Sequence, residues 1–118
     1  MKNVLVIDDS RATADTMVRI LKALGYPARA VYGSSAGMLV LREETPDLVF
    51  LDINMPGVSG FEILKFMSRE PRLANVPVFV ATSEDQPETK REALRCGARG
   101  FLIKPVSVEA LDDALREL

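Results

Sequence analysis

Five short apolar runs, at residues 4–7, 28–32, 47–51, 76–80 and 100–103, are each followed by a segment with helical spacing, and this alternation constrains the fold more than any other feature of the chain. The runs at 4–7, 47–51 and 76–80 are continuous rather than alternating in polarity. Such strands are buried on both faces, as in a parallel sheet. Strand and helix repeated five times with short connections call for right-handed crossovers and helices on both sides of the sheet. The expectation is an α/β fold with a five-stranded parallel sheet. At 118 residues the chain has the length of one domain, taken as residues 1–118.

The helical segments differ in how much they can bury. Residues 11–24 place Met17, Ile20, Leu21 and Leu24 along one stripe, with Asp9 or Ser10 as N-cap and Gly25 just past the end. Residues 35–43 form a second helix, and residues 60–69 a third that presents Phe61, Leu64 and Met67 inward. A last helix is capped by Ser107 and runs to the end of the chain, with Val108, Leu111, Leu115 and Leu118 on one face. The fourth, at residues 86–96, is the exception. It offers only Ala93, Leu94 and Cys96 among a crowd of charges, so it is expected to be loosely held.

The chain has no histidine. That excludes Ser-His and Cys-His nucleophile pairs, His-ligated zinc and a phosphohistidine of its own, leaving carboxylate, lysine and hydroxyl chemistry. The net charge of −2 is spread along the chain without a basic run, which argues against direct nucleic-acid binding. Cys96 stands alone and reads as a small apolar filler, in keeping with a reducing compartment. No apolar stretch reaches the roughly 20 residues that span a bilayer, so no membrane partner is expected and the location is expected to be cytoplasmic.

In open parallel sheets, ligands bind beyond the carboxyl ends of the strands. The first strand ends at Asp8 and Asp9, the third at Asp52, the fourth at Thr82 with Ser83 next, and the fifth at Lys104. Three acids brought together repel, and a bound cation or a raised pKa relieves them. All-oxygen ligands select a hard ion, for which Mg²⁺ is the natural choice, since it uses one or two carboxylates and shares its other positions with phosphate. Phosphoryl transfer needs a nucleophile, a metal, a fixed cation and a hydroxyl donor. Asp52 is the acid left once Asp8 and Asp9 hold the metal; Lys104 is the cation and Thr82 the donor. Each residue alone has a plainer reading: acids at a helix N-terminus, a turn aspartate, a strand-end threonine, a surface lysine. Their convergence carries the functional one.

The segments VLVIDDS at residues 4–10, VFLDINMPG at 49–57 followed by Gly60, ATS at 81–83 and GFLIKP at 100–105 resemble the bacterial response-regulator receiver family, in its order and over essentially the whole chain. The resemblance implies a flavodoxin-like sheet of order 2-1-3-4-5. It implies Asp52 as phosphoacceptor, Asp8, Asp9, Asp52 and the main-chain carbonyl of Asn54 around Mg²⁺, and Lys104 paired with the phosphate. Thr82 and Phe101 become the switch residues, and the Lys104–Pro105 bond is expected cis. The donor would be a phosphohistidine on a sensor histidine kinase or phosphotransfer protein. A downstream effector or a second copy would read the fourth helix, fifth strand and fifth helix. Phe101 departs from the tyrosine of many members and Ser83 from a frequent alanine. A phosphatase with an aspartyl-phosphate intermediate would want an Asp-x-Asp pair and a cap; an FMN carrier would want a hydroxyl- and glycine-rich loop after the first strand. A degenerate receiver that binds partners without phosphorylation is the third alternative, disfavoured by the intact acids.

Overall fold

The computed structural model describes residues 2–117. The strands are β1 (Val4–Ile7), β2 (Ala28–Val31), β3 (Leu48–Leu51), β4 (Val78–Thr82) and β5 (Gly100–Ile103). Between and after them lie the helices α1 (Arg11–Ala23), α2 (Ser34–Glu43), α3 (Gly60–Arg69), α4 (Pro87–Arg95) and α5 (Val108–Leu115). All strand pairings are parallel and the order is β2-β1-β3-β4-β5, as the family resemblance implies.

Every residue of β1, β3 and β4 is buried, because successive side chains enter two separate cores. Val4, Val6, Leu48 and Phe50 point to the face covered by α1 and α5, where they meet Met17, Leu21, Leu111 and Leu115. Leu5, Ile7, Val49 and Leu51 point to the other face and meet Leu41, Ile63, Leu64 and Met67 of α2 and α3, and Ala93 of α4. Phe79 packs against Phe50 with ring centroids 6.0 Å apart. Only glycine fits opposite that ring on β5, since a Cβ at Gly100 would lie 2.6 Å from Phe79 Cε2.

Several expected boundaries move, each for a local reason. β3 begins at Leu48, and Asp47 just before it donates its N–H to the Asn3 carbonyl at 2.9 Å while its carboxylate, in place of its neighbour's carbonyl, accepts the Asn3 N–H at 2.7 Å. β4 occupies Val78–Thr82 instead of 76–80: Pro77 has no N–H for the ladder, and Thr82 pairs with Ile103 inside the sheet. Tyr32 falls outside β2, Ser34 opens α2 one residue early, and Leu24, Gln86 and Cys96 are cap residues rather than helical ones. Ser10, not Asp9, caps α1 by accepting the Thr13 N–H, and Ser107 caps α5 through Ala110. Ile20, Leu24 and Phe61 are only half-buried, and Val108 and Leu94 are exposed, because their helices cover the sheet's margins. Leu118 lies outside the described residues.

Arg72, between α3 and β4, ties two layers together. Its guanidinium donates to the carbonyls of Leu41 (2.6 Å), Arg42 (3.2 Å) and Glu44 (2.8 Å) and to Thr45 Oγ1 (2.8 Å). These include carbonyls at the end of α2 that have no partner within the helix. Arg72→Ala is expected to lower the unfolding free energy by about 1–3 kcal/mol in urea titrations. Arg72→Lys should recover only part of it, because an ammonium cannot span the fork.

Candidate functional site

The order reverses between β1 and β3, and the crevice there opens at the carboxyl ends of the strands. Ile7 pairs with Leu51, so the residues that follow, Asp8 and Asp52, emerge side by side. Both are buried, at 2% and 6% exposure, while Asp9 is exposed. One carboxylate oxygen from each of the three acids lies within 4.8 Å of the others. Lys104, one residue beyond β5, reaches back across β4 so that Nζ sits 2.6 Å from Asp8 Oδ2 and 3.3 Å from Asp52 Oδ2. The Lys104–Pro105 bond is cis.

The remaining carboxylate oxygens are held by the backbone. Asp8 Oδ1 accepts the Ser10 N–H at 2.9 Å and Asp52 Oδ1 accepts the Asn54 N–H at 3.1 Å. Each bond spans two residues, so the turn that follows each strand aims its acid. Thr82, 1% exposed, has its Oγ1 3.4 Å from both Asn54 Nδ2 and the Glu84 N–H. Phe101 is half-buried against the core on the α2–α3–α4 side. Six of the residues singled out in the sequence, Asp8, Asp9, Asp52, Asn54, Thr82 and Lys104, therefore lie at the carboxyl ends of β1, β3, β4 and β5, whereas Phe101 is the second residue of β5, paired with Val80 inside the sheet.

Burial pushes the Asp8 carboxyl above its ordinary 3.8; the Lys104 and Ser10 hydrogen bonds and the Lys104 charge oppose this, and the negative charge of Asp52 adds to it. Two buried acids served by one lysine are under-compensated. An additional cation would relieve them, and the donor set is made of hard oxygens that suit one.

Gly60 was part of the motif that carried the family resemblance, and the structure gives its reason; Ser34, Arg11 and Tyr32 carried no signal of a place near the site. Gly60 must lack a side chain, because a Cβ there would lie 2.4 Å from the Asp52 carbonyl oxygen and 2.5 Å from Ile53 Cα. The buried Ser34 donates to the Pro56 carbonyl at 3.2 Å and fastens α2 to the loop after Asp52. Arg11 lies over the Tyr32 ring, 4.1 Å from its centroid, and the Tyr32 hydroxyl donates to Asp15. These contacts join positions that only the fold brings together. The opposite edge has a cavity of about 270 Å³ lined by Asn3, Pro27, Val40 and Pro46, where the charged Arg29 and Glu44 close on each other at 2.9 Å. It holds no cluster of acids.

A doubly covered parallel sheet with acids, a lysine and a hydroxyl at its switch point defines a class of α/β domain whose polar groups are gathered where such sheets bind ligands. Within that class, the chain belongs to the response regulator receiver domain family, whose description matches residues 4–116 and whose members act as phosphorylation switches in bacterial two-component systems. It is 32% identical over 111 residues to the protein PilH of Pseudomonas aeruginosa, covering 94% of this chain and 92% of PilH. Chemotaxis response regulator CheY4 of Vibrio cholerae superimposes with a TM-score of 0.91 at 29% identity, covering 99% of this chain and 98% of that one. A response regulator from Burkholderia pseudomallei, solved with a phosphorylated aspartic acid, calcium ion and citrate, superimposes with a TM-score of 0.88 at 27% identity, over 98% of this chain and 66% of that one. The chain spans about half or less of the length of several further curated relatives.

The raised Asp8 pKa has a consequence for stability. Its ionised form is disfavoured in the fold, a penalty fully present above the folded-state pKa and absent below the ordinary 3.8. In metal-free buffer Asp8→Asn is therefore expected to raise the urea midpoint at about pH 7, with the gain fading as the pH falls through the raised folded-state value and gone below 3.8.

Proposed function

We propose that residues 1–118 form one receiver domain in which Asp52 accepts the phosphoryl group, Asp8, Asp9, Asp52 and the Asn54 carbonyl hold Mg²⁺, and Thr82, Phe101 and Lys104 carry the switch. The observation that carries this reading is the position of Asp52: it follows the central strand β3, between Asp8 after β1 and Thr82 at the end of β4, with Lys104 Nζ 3.3 Å from its Oδ2. The phosphorylated aspartate and calcium named for the Burkholderia protein support the same division of labour. When bound, Mg²⁺ supplies positive charge to the transferring oxygens.

In the forward step an oxygen of Asp52 attacks phosphorus of a phosphohistidine on a sensor histidine kinase or phosphotransfer protein. The O–P bond forms as the N–P bond breaks, and the imidazole leaves on the partner. In the separate dephosphorylation step a water oxygen attacks phosphorus, its bond forming as the Asp52 O–P bond breaks, so that inorganic phosphate and a proton leave and the carboxylate of Asp52 is restored. Lys104 balances charge in both, so the domain assists its own phosphorylation and dephosphorylation without acting on a foreign substrate. The added phosphoryl oxygens draw the Thr82 hydroxyl inward, and Phe101 follows into the space vacated.

The surface that reports the change is α4, β5 and α5. Leu94 (43%), Ile103 (44%) and Val108 (47%) are exposed there, and α4 buries only Ala93 completely. A downstream effector, or a second copy of the chain, would dock on this face, and the domain would work in the cytoplasm. Among the described residues no helix is long and apolar enough to cross a membrane.

Incubation with acetyl phosphate and Mg²⁺ should add one phosphate to the intact mass, and the adduct should disappear with Asp52→Asn or without metal. An adduct that survives Asp52→Asn would overturn the assignment, and no adduct on the parent chain would favour a partner-binding domain that works without phosphorylation. For the docking face, substituting Glu92 and Arg95 together should weaken the phosphorylation-dependent affinity of any partner about tenfold or more. An unchanged affinity would place the contacts elsewhere.

A further inference from the structure

α4 is attached to the domain by very little. The ion pairs of its side chains, Glu88–Arg91 and Glu92–Arg95, lie within the helix and hold it to nothing else. Its N-cap, Gln86, makes no side-chain capping bond. Among the described residues one side-chain hydrogen bond joins α4 to a residue outside it: Thr89 Oγ1 donates to Glu84 Oε2 at 3.1 Å. Glu84 belongs to the loop between β4 and α4, and its own N–H donates to Thr82 Oγ1 at 3.4 Å. Thr82, Glu84 and Thr89 therefore form a line of two hydrogen bonds from the phosphate-facing hydroxyl to the first turn of the helix.

We infer that Glu84 and Thr89 are positioning residues that latch the N-terminus of α4 while Asp52 is unmodified, and that the turn of Thr82 releases the latch. The inference rests on the role proposed above for Thr82. Its physical basis is the difference between the two bonds. The Thr82 contact is long and exchanged at small cost, whereas the Thr89 bond goes to a carboxylate and is the stronger. When the Thr82 hydroxyl swings toward phosphoryl oxygens, the Glu84 N–H loses its acceptor. The loop is then free to shift and carries the Glu84 carboxylate away from Thr89. A helix that buries one alanine has little else to keep its first turn in place.

Hydrogen–deuterium exchange of the intact chain tests this, read on peptides covering residues 84–96. Thr89→Val keeps the branched shape and loses the hydroxyl; Thr89→Ser keeps the hydroxyl. In the unphosphorylated protein Thr89→Val should speed exchange in the first turn of α4 about fivefold, the loss of one hydrogen bond, and Thr89→Ser should restore the parent rate. Thr82→Val should speed it too, and the Thr82→Val/Thr89→Val pair should add little to either alone, because both cut one line. With acetyl phosphate and Mg²⁺ the parent chain should show the same acceleration, and Thr89→Val should show no further rise although its mass adduct forms normally. Unchanged exchange in Thr89→Val, equal effects of Val and Ser, or fully additive effects of Thr82→Val and Thr89→Val would each overturn the latch. If no adduct forms on the parent chain, the acceptor reading falls, and the substitutions in the unphosphorylated protein still decide whether the latch exists.

Discussion

Burial of the central strands on both faces is the constraint from which the rest follows. β1, β3 and β4 have no solvent-facing side, so their polar neighbours are confined to the strand ends. Parallel pairing then puts all the carboxyl ends at one edge, and the reversal of order beside β1 keeps a crevice open there. Asp8, Asp52 and Lys104 meet although they lie far apart in the chain. The packing that makes the core also builds the site.

Concentrating charge at that edge has a cost. Two buried carboxylates lean on one ammonium, and the fold supplies backbone N–H groups to both. The arrangement leaves the carboxylates under-neutralised, which favours an added cation. α4 stands in contrast, because few contacts tie it to the rest of the domain. Its stripe of apolar residues is thin, its ion pairs are internal, and its first turn hangs on a loop that begins at the site. A rigid sheet edge beside a weakly held helix is a sound basis for a two-state switch.

Much of this was legible in the chain itself. The five alternations of strand and helix were plain from periodicity, and α3 matched its expected bounds. β4 slipped by two residues because Pro77 interrupts an apolar run whose hydrophobicity gave no hint of where pairing stops. Asp8, Asp9, Asp52, Thr82 and Lys104 were readable because each follows or ends an apolar strand, while Asn54 and Phe101 were named only through the family resemblance. Ser34 and Glu84 were not readable, since a serine and a loop glutamate are common in turns and acquire meaning only from what stands about 3 Å away. Val108 and Leu94 were expected to face inward on their stripes, yet the helices that carry them overhang the sheet's margin, which no helical period can indicate.

The sequence by itself determined the class of fold, the kind of chemistry and the absence of histidine from it, because these depend on residue types and on local periodicities of two and 3.6. The tertiary structure decided which contacts exist: Lys104 on Asp8 rather than in solvent, Arg72 on the end of α2, Thr89 on Glu84. Such contacts depend on distances of a few ångströms between residues distant in the chain, and packing, not composition, sets them.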